Sequence, residues 1–181
     1  MTRIEDPVLL AENFACNSDI YTKTIGWTVP DAQTLYTLTA CTTDKRVLSV
    51  YAGGGYLENL LTTNSRESLH TTVEQEKVVL HKHTGNRHVN IINVEAIEAV
   101  RRYTEFDTLL MIMPPCEDTQ AIECIREFTG DTVILICTKE FIKHNQQQIT
   151  ETNLKISDVP TKTLLAEEPF ERLVIKILHK I

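Results

Sequence analysis

The sequence predicts an α/β fold in which a mostly parallel sheet is flanked by helices and ends in an antiparallel C-terminal hairpin. Strand-like and helix-like segments alternate between residues 47 and 137, and such alternation favours parallel strands joined by helices. A run of three glycines at 53–55 follows the first of these strands. The last two strand-like segments, at 153–157 and 173–178, are separated by a turn-rich loop rather than a long helix, which suits a closing hairpin.

The composition is that of a globular protein with one core. The chain has 181 residues, of which 42% are hydrophobic and 24% charged, so one domain is expected. Within it, residues 1–44 are expected to form an N-terminal helical segment that packs on a domain at 45–181. Asp31 is a candidate helix cap, and Ala32, Leu35 and Leu38 follow at the spacing of one helix face.

The charge and the cysteine content indicate which binding partners and which cellular compartment are expected. The net charge of -7 disfavours non-specific contact with phosphate backbones, although it does not exclude a nucleic-acid substrate. The five cysteines are odd in number and form no CxxC pair, which argues against disulfides and zinc ribbons. Reduced thiols favour the cytoplasm or nucleus. The N-terminus shows no signal-peptide pattern, and no apolar run approaches the ~18 residues that span a bilayer.

The predicted strands lie at 47–51, 68–73, 88–94, 107–113 and 132–137, and we expect them to be parallel neighbours in one sheet. Long apolar runs such as 108–113 are typical of strands buried on both faces. The strand at 172–179 is expected to insert antiparallel. Helices are predicted from Tyr56, over 95–103 and over 119–128, the last with Gly130 as its C-terminal cap. Residues 139–148 are helical or irregular.

The glycine turn is the strongest functional signal. Strand, glycine turn and helix in this order are typical of a nucleotide-binding unit of Rossmann-like folds. Glycine allows the backbone to approach a ligand closely, and the following helix offers free N–H groups at its N-terminus. The alternative is an ordinary tight connection between a strand and a helix.

Glu74 is a candidate ribose ligand because it ends the second predicted strand, 19 residues after Gly55. A carboxylate about 20 residues beyond the glycine turn accepts hydrogen bonds from a ribose in dinucleotide-binding folds. A plain surface glutamate is the alternative, and Glu76 takes the role if the strand boundary lies two residues further on.

The segment Met113, Pro114, Pro115 and Cys116 follows the fourth strand, where ligands of open α/β sheets bind. Two prolines fix the backbone there and leave carbonyl groups available to a substrate amine. The alternative is a rigid strand exit. No metal site is expected: His81 and His83 fit a solvated basic face with Lys82, because neither they nor the cysteines complete a compact zinc pattern.

Taken together, these motifs resemble class I S-adenosylmethionine-dependent methyltransferases, and most closely a set of methyltransferase-like proteins from eukaryotes. The resemblance rests on W-T-V-P at 27–30, S-V-Y-A-G-G-G-Y-L-E at 49–58, D-T-L-L at 107–110 with P-P at 114–115, and G-D-T at 130–132. It covers about residues 25–181 and implies the Rossmann-like methyltransferase fold. Tyr51 stands where the family pattern has a glycine.

The resemblance also implies a site and a cofactor, S-adenosylmethionine. The cofactor would be held by residues of the turn and of two later strand ends: Ser49, Tyr51, Ala52, Gly53, Gly55, Glu74 and Glu95. Met113 to Cys116 would line the methyl-transfer site. Amino-methyltransferases commonly carry Asp or Asn before the two prolines and an aromatic residue after them, which Met113 and Cys116 do not match.

Three functions follow as hypotheses. The first is a methyltransferase of unspecified substrate, and the second is an inactive methyltransferase-like module that binds a partner protein. The third, a nicotinamide dehydrogenase, is disfavoured by the closing hairpin and the missing GxGxxG. Tyr51 separates the first two hypotheses: its ring either swings out of the cofactor cleft or occupies it.

Overall fold

A computed structural model of the chain describes residues 32–52, 55–64, 70–74, 91–159 and 173–180. Helices and strands alternate through these ranges as the sequence predicts. The helices are α1 (Ala32–Thr42), α2 (Tyr56–Asn64), α3 (Ala96–Arg102), α4 (Thr119–Glu127) and α5 (Lys139–Thr150). The strands are β1 (Val47–Val50), β2 (His70–Glu74), β3 (Ile91–Asn93), β4 (Thr108–Ile112), β5 (Thr132–Thr138), β6 (Lys155–Val159) and β7 (Leu173–His179).

The strands form one sheet in the order β3-β2-β1-β4-β5-β7-β6. β1 pairs parallel with β2 on one side and with β4 on the other, and β2–β3 and β4–β5 are parallel as well. β7 lies antiparallel between β5 and β6. The predicted mostly parallel sheet with an antiparallel C-terminal hairpin is therefore confirmed, as is the insertion of the last strand.

Each face of the sheet carries its own hydrophobic core. On one face, α1 and α2 pack Leu38 and Leu61 against β1, β4 and β5. On the other face, α3, α4 and α5 bury a second cluster that includes Phe128 and Phe141. All five residues of β4 are buried, because a central parallel strand is covered by helices on both sides.

Gly130 has a different role from the helix cap that the sequence predicted. α4 ends at Glu127, and its C-cap residue Phe128 is in an extended conformation with φ -58° and ψ 128°. A Cβ at position 130 would lie 2.5 Å from the carbonyl oxygen of Asp107 and 2.5 Å from the Phe128 ring. The glycine is needed because two parts of the chain approach closely, so the prediction of a glycine cap was wrong.

The segment at 139–148, helical or irregular in the sequence analysis, is a regular helix. The Thr138 side chain caps α5 by accepting a hydrogen bond from the Phe141 N–H at 3.1 Å, as threonine commonly does at an N-cap. None of the helices in the described ranges is long and apolar enough to cross a membrane.

Candidate functional site

The carboxyl ends of β1, β2, β3 and β4 meet at one edge of the sheet. Parallel pairing sets Val50 beside Val73 and Met111, and sets Glu74 beside Asn93. The connections that leave this edge begin with residues that the sequence analysis selected: Tyr51 after β1 and Met113 after β4. Ligands of open α/β sheets bind outside such an edge, so the topology brings the predicted residues into one region.

Tyr51 leaves β1 in a left-handed backbone conformation with φ 61°, which is uncommon for a residue that is not glycine. Its ring is half-buried and packs against the core beneath α3, α4 and α5. Its hydroxyl donates a hydrogen bond to Asp118 Oδ2 at 2.8 Å. Burial first, and the nearby acidic groups after it, raise the pKa of the phenol, so the hydroxyl stays protonated and remains a donor.

Asp118 joins Tyr51 to the start of the helix that follows β4. It is the N-cap of α4, and its Oδ1 accepts a hydrogen bond from the Gln120 N–H at 2.9 Å. One carboxylate oxygen therefore caps α4 while the other holds the tyrosine. Asp118 is not among the site residues predicted from the sequence. Its place before the helix at 119–128 signals a cap, but no sequence pattern signals a partner 67 residues away.

Beyond Tyr51, the described part of the turn consists of Ala52 and Gly55, both buried. Gly55 has φ 74°, a conformation that disfavours any side chain. Its N–H donates to the Ala52 carbonyl at 2.9 Å, and its own carbonyl accepts from the Asn59 N–H at 3.0 Å, which begins α2. Gly53, together with Gly54, lies outside the described residues.

Ser49 and Glu58 form a fully buried pair beneath the turn. Both residues have zero exposed surface, and Ser49 Oγ donates to Glu58 Oε1 at 2.6 Å. Burial raises the pKa of Glu58 to about 7, against a smaller lowering by the hydrogen bond from Ser49. Glu58 was quoted in the sequence motif but not selected as a site residue; its place in the first turn of α2, where the helix dipole favours negative charge, was the available signal.

The two predicted glutamates stand at the carboxyl ends of β2 and β3. Glu74 is the last residue of β2, and the structure describes its backbone position only. Glu95 precedes α3 as its N-cap residue and is half-exposed, and its backbone carbonyl accepts the first helical hydrogen bond from the Ala99 N–H at 2.9 Å. Their contacts with a nucleoside stay predictions. Glu76 lies outside the described residues.

The exit of β4 is held in place at three points. Met113 has φ 51°, and its N–H donates to the Ile136 carbonyl at 2.7 Å. The Pro115 carbonyl accepts from the Asp118 N–H at 3.1 Å, and the Cys116 carbonyl accepts from the buried Asn145 side chain at 3.4 Å. Within the described residues, the carbonyls of Met113 and Pro114 accept no hydrogen bond. Met113 is partly exposed, whereas Pro114 is buried.

Neighbouring strand ends thus carry two left-handed residues that are not glycine. Tyr51 follows β1 and Met113 follows β4, and the two strands are paired. Each such residue costs about 1–3 kcal/mol, and such residues cluster at ligand-binding and active sites. Asn145, on α5, supports this arrangement from the interior and was missed by the sequence analysis.

Within the described ranges, no group of three or more His, Cys, Asp or Glu side chains is arranged to hold a metal ion. His81 and His83, the histidines discussed in the sequence analysis, lie outside these ranges.

The chain is similar to known proteins in its structure, but no match was found by sequence. No protein-family description matches the chain, and no curated protein matches it. Precorrin-6y C5,15-methyltransferase from Geobacter metallireducens GS-15 aligns with a TM-score of 0.58 at 10% identity, covering 82% of this chain and 88% of that chain. Magnesium protoporphyrin IX methyltransferase from Synechocystis PCC 6803, crystallised with bound SAM, gives 0.56 at 12%, covering 100% of both chains.

A third similar structure is the methyltransferase domain of bacterial CtHen1, with a TM-score of 0.56 at 13% identity over 82% of this chain and 98% of that one. All three are methyltransferases by name, and the first two names state different substrates. At such low identity the similarity shows the fold and nothing finer. The chain has the Rossmann-like fold of class I methyltransferases.

Proposed function

We propose that this chain binds S-adenosylmethionine at the carboxyl edge of β1 to β4 and transfers its methyl group to a nucleophile held beside the β4 exit. The observation that carries the proposal is the juxtaposition of two specialised strand ends. The turn at 51–55 and the exit at 113–116 lie on paired strands, and each begins with a left-handed residue. The fold similarity supports this proposal.

Several features of the described residues support cofactor binding at the turn. Ala52 and Gly55 keep side-chain volume at the turn small, and α2 presents its N-terminus there, where backbone N–H groups attract the oxygen atoms of a ligand. The Tyr51 ring is packed against the core and bonded to Asp118. Glu74 and Glu95 stand at the carboxyl ends of β2 and β3, and we assign them the contacts to the nucleoside of the cofactor.

S-adenosylmethionine supplies an electrophilic methyl group on a sulfonium, so the protein has to supply binding and alignment. In the proposed site the Met113 and Pro114 carbonyls accept hydrogen bonds from the N–H or O–H of the acceptor. The hydrogen bonds that the Pro115 and Cys116 carbonyls accept, and the one that the Met113 N–H donates, hold that loop in place. Holding a nucleophile in line with the methyl group converts an encounter between two molecules into a step within one complex, which lowers the barrier strongly.

The experiment is a thermal shift with S-adenosylhomocysteine on three proteins. Wild type should melt at a higher temperature with the ligand, since about a hundredfold excess over Kd adds about 2.7 kcal/mol to stability. Gly55→Val should abolish the shift, because a branched side chain enters a left-handed position at the turn. Asp44→Val is the matched control. Asp44 is also left-handed, with φ 57°, but it lies before the amino-terminal end of β1, away from the proposed site.

The control variant should keep the ligand-dependent shift at whatever lower temperature it melts. Loss of the shift in both variants, or its retention in Gly55→Val, would contradict binding at the turn. No shift in the intact wild type would contradict the proposed function and would favour the second hypothesis, a methyltransferase-like module that binds a partner protein.

A further inference from the structure

We propose that a cavity between α5 and the strands β5, β7 and β6 is a second binding site, which takes a small molecule with an aliphatic body and a carboxylate. The cavity has a volume of about 260 Å³ and is lined by residues of this helix and these three strands. The turn after β1 and the exit of β4 contribute nothing to the lining that the structure describes. The site is therefore separate from the one proposed for the cofactor.

The apolar part of the lining determines the body of the ligand. Leu135 and Leu178 come from β5 and β7, Ile149 from α5, and Ile156 from the outermost strand β6. Ile156 is 43% exposed, so the cavity can be reached from solvent on this side. An apolar cavity of ~150 Å³ already binds benzene. At about 30 Å³ for each small group, the volume of one water molecule in the liquid, the larger cavity here has room for roughly eight heavy atoms.

Lys176 determines the head group, because it is the charged residue in the lining that the structure describes. In the register of the sheet it stands between Leu135 of β5 and Asp158 of β6, so its side chain leaves the same face as Leu135. Its neighbours on that face, Val174 and Leu178, pack in the core. Lys176 thus occupies a position that alternation assigns to an apolar residue. Its side chain is only 21% exposed, which is unusual for lysine.

The present partner of Lys176 is Asp158, whose carboxylate forms an ion pair with the ammonium group. The Asp158 side chain is 73% exposed, and ion pairs with so exposed a partner contribute little to stability. A ligand carboxylate can therefore replace Asp158 at small cost, or bind beside it, since an ammonium group has three N–H donors. The aliphatic body then covers apolar surface in the cavity, which favours binding.

The experiment is an amide NMR titration of the full chain with three probes. Octanoate has both the aliphatic body and the carboxylate, 1-octanol has the body without the charge, and acetate has the charge without the body. Lys176→Met removes the ammonium group and keeps an unbranched apolar side chain, whereas Asp158→Asn removes the competing carboxylate. Lys155→Met is the matched control: Lys155 is exposed on the same strand as Asp158, but its side chain leaves the opposite face from Ile156.

We expect octanoate to shift the amide signals of Leu135, Ile149, Ile156 and Leu178 until they saturate, and acetate to leave them in place. Lys176→Met should weaken octanoate binding roughly fivefold, and Asp158→Asn should strengthen it roughly twofold. Neither substitution should change the affinity for 1-octanol, which has no charge to pair. Lys155→Met removes the same charge from the chain and should bind octanoate as wild type does.

Three results would overturn the inference: no saturable shift in wild type at millimolar octanoate, unchanged octanoate affinity in Lys176→Met, or an equal loss in Lys176→Met and Lys155→Met, which would indicate a general attraction to positive charge. If Lys176→Met loses both octanoate and 1-octanol because the cavity has collapsed, Asp158→Asn decides. A gain for octanoate alone then supports the site, and an unchanged affinity contradicts it. All of these results leave the proposed binding of S-adenosylmethionine intact.

Discussion

Ser49 Oγ donates a hydrogen bond of 2.6 Å to Glu58 Oε1 in a place that water does not reach. The pair links β1 to the first turn of α2, on either side of the glycine turn in the sequence. A carboxyl group without exposed surface is costly to ionise, and this cost raises the pKa of Glu58 to about 7. The stability of the fold should therefore respond to pH in a way that this one residue controls.

The first prediction concerns that pH dependence. Between pH 4.5, the ordinary value for a glutamate, and about 7, the unfolded chain has lost the proton of Glu58 while the folded chain keeps it. The folded state thus binds more protons, so stability falls as pH rises through this window. At ~1.4 kcal/mol per pH unit, the contribution lost by pH 7 is about 3 kcal/mol.

Glu58→Gln removes the titrating group and keeps the size and polarity of the side chain. Urea unfolding at a series of pH values should show that wild type loses about 3 kcal/mol more than the variant between pH 4.5 and 7. Parallel curves for the two proteins would contradict the buried, protonated state of Glu58.

The second prediction concerns the hydroxyl that supports this carboxyl. Ser49→Ala removes the donor to Glu58 and leaves the acceptor oxygen buried, which typically costs about 1–3 kcal/mol. It should also raise the pKa of Glu58 further, because the hydrogen bond from Ser49 lowers it. In the Glu58→Gln background the same substitution should cost less, and equal losses in both backgrounds would show that the two side chains are not coupled.

The third prediction concerns Gly130. A Cβ there would lie 2.5 Å from a backbone oxygen of Asp107 and from the Phe128 ring, so Gly130→Ala must displace one of them. Forced overpacking typically costs about 1–3 kcal/mol. Glu123→Ala, on the exposed side of α4, is the control and should change stability by less than about 0.5 kcal/mol. Equal melting temperatures for the two variants would argue against the close approach.

The fourth prediction tests whether the exit of β4 and the turn after β1 contribute separately to cofactor binding. Asn145 is buried, and its side chain donates to the Cys116 carbonyl at 3.4 Å and to the Phe141 carbonyl at 3.0 Å. Asn145→Ala should cost about 1–3 kcal/mol and loosen the exit of β4. S-adenosylhomocysteine affinity should stay within about threefold of wild type, because the turn after β1 is untouched. A large loss of affinity would show that the exit loop itself binds the cofactor.

Sequence patterns predicted the sheet well because its determinants are local. The apolar run at β4 indicates a strand that is buried on both faces, and the spacing of Leu35 and Leu38 indicates one buried face of the helix α1. The turn-rich gap before β7 indicated the antiparallel insertion. Boundaries shifted by one to three residues within the described ranges, as at β6, which begins at Lys155 rather than at residue 153.

The site was predictable only as a region. The glycine turn and the prolines after β4 marked the two strand ends, but the contacts that fix them join distant residues. Tyr51 meets Asp118 across 67 positions, and Cys116 meets Asn145 across 29. Neither pairing has a local pattern, because each depends on which helices flank the strand ends in the folded chain. Gly130 was misjudged for the same reason, since its neighbour Asp107 lies on another segment.

The central claim is that S-adenosylmethionine binds at the carboxyl edge of β1 to β4, and hydrogen exchange with and without the cofactor tests it most directly. Binding there should slow amide exchange in peptides that cover residues 51–58 and the start of α3. Peptides from β6, an outermost strand of the sheet, should exchange at an unchanged rate. Unchanged exchange throughout the chain at millimolar cofactor, or protection confined to β6 and its surroundings, would contradict the account.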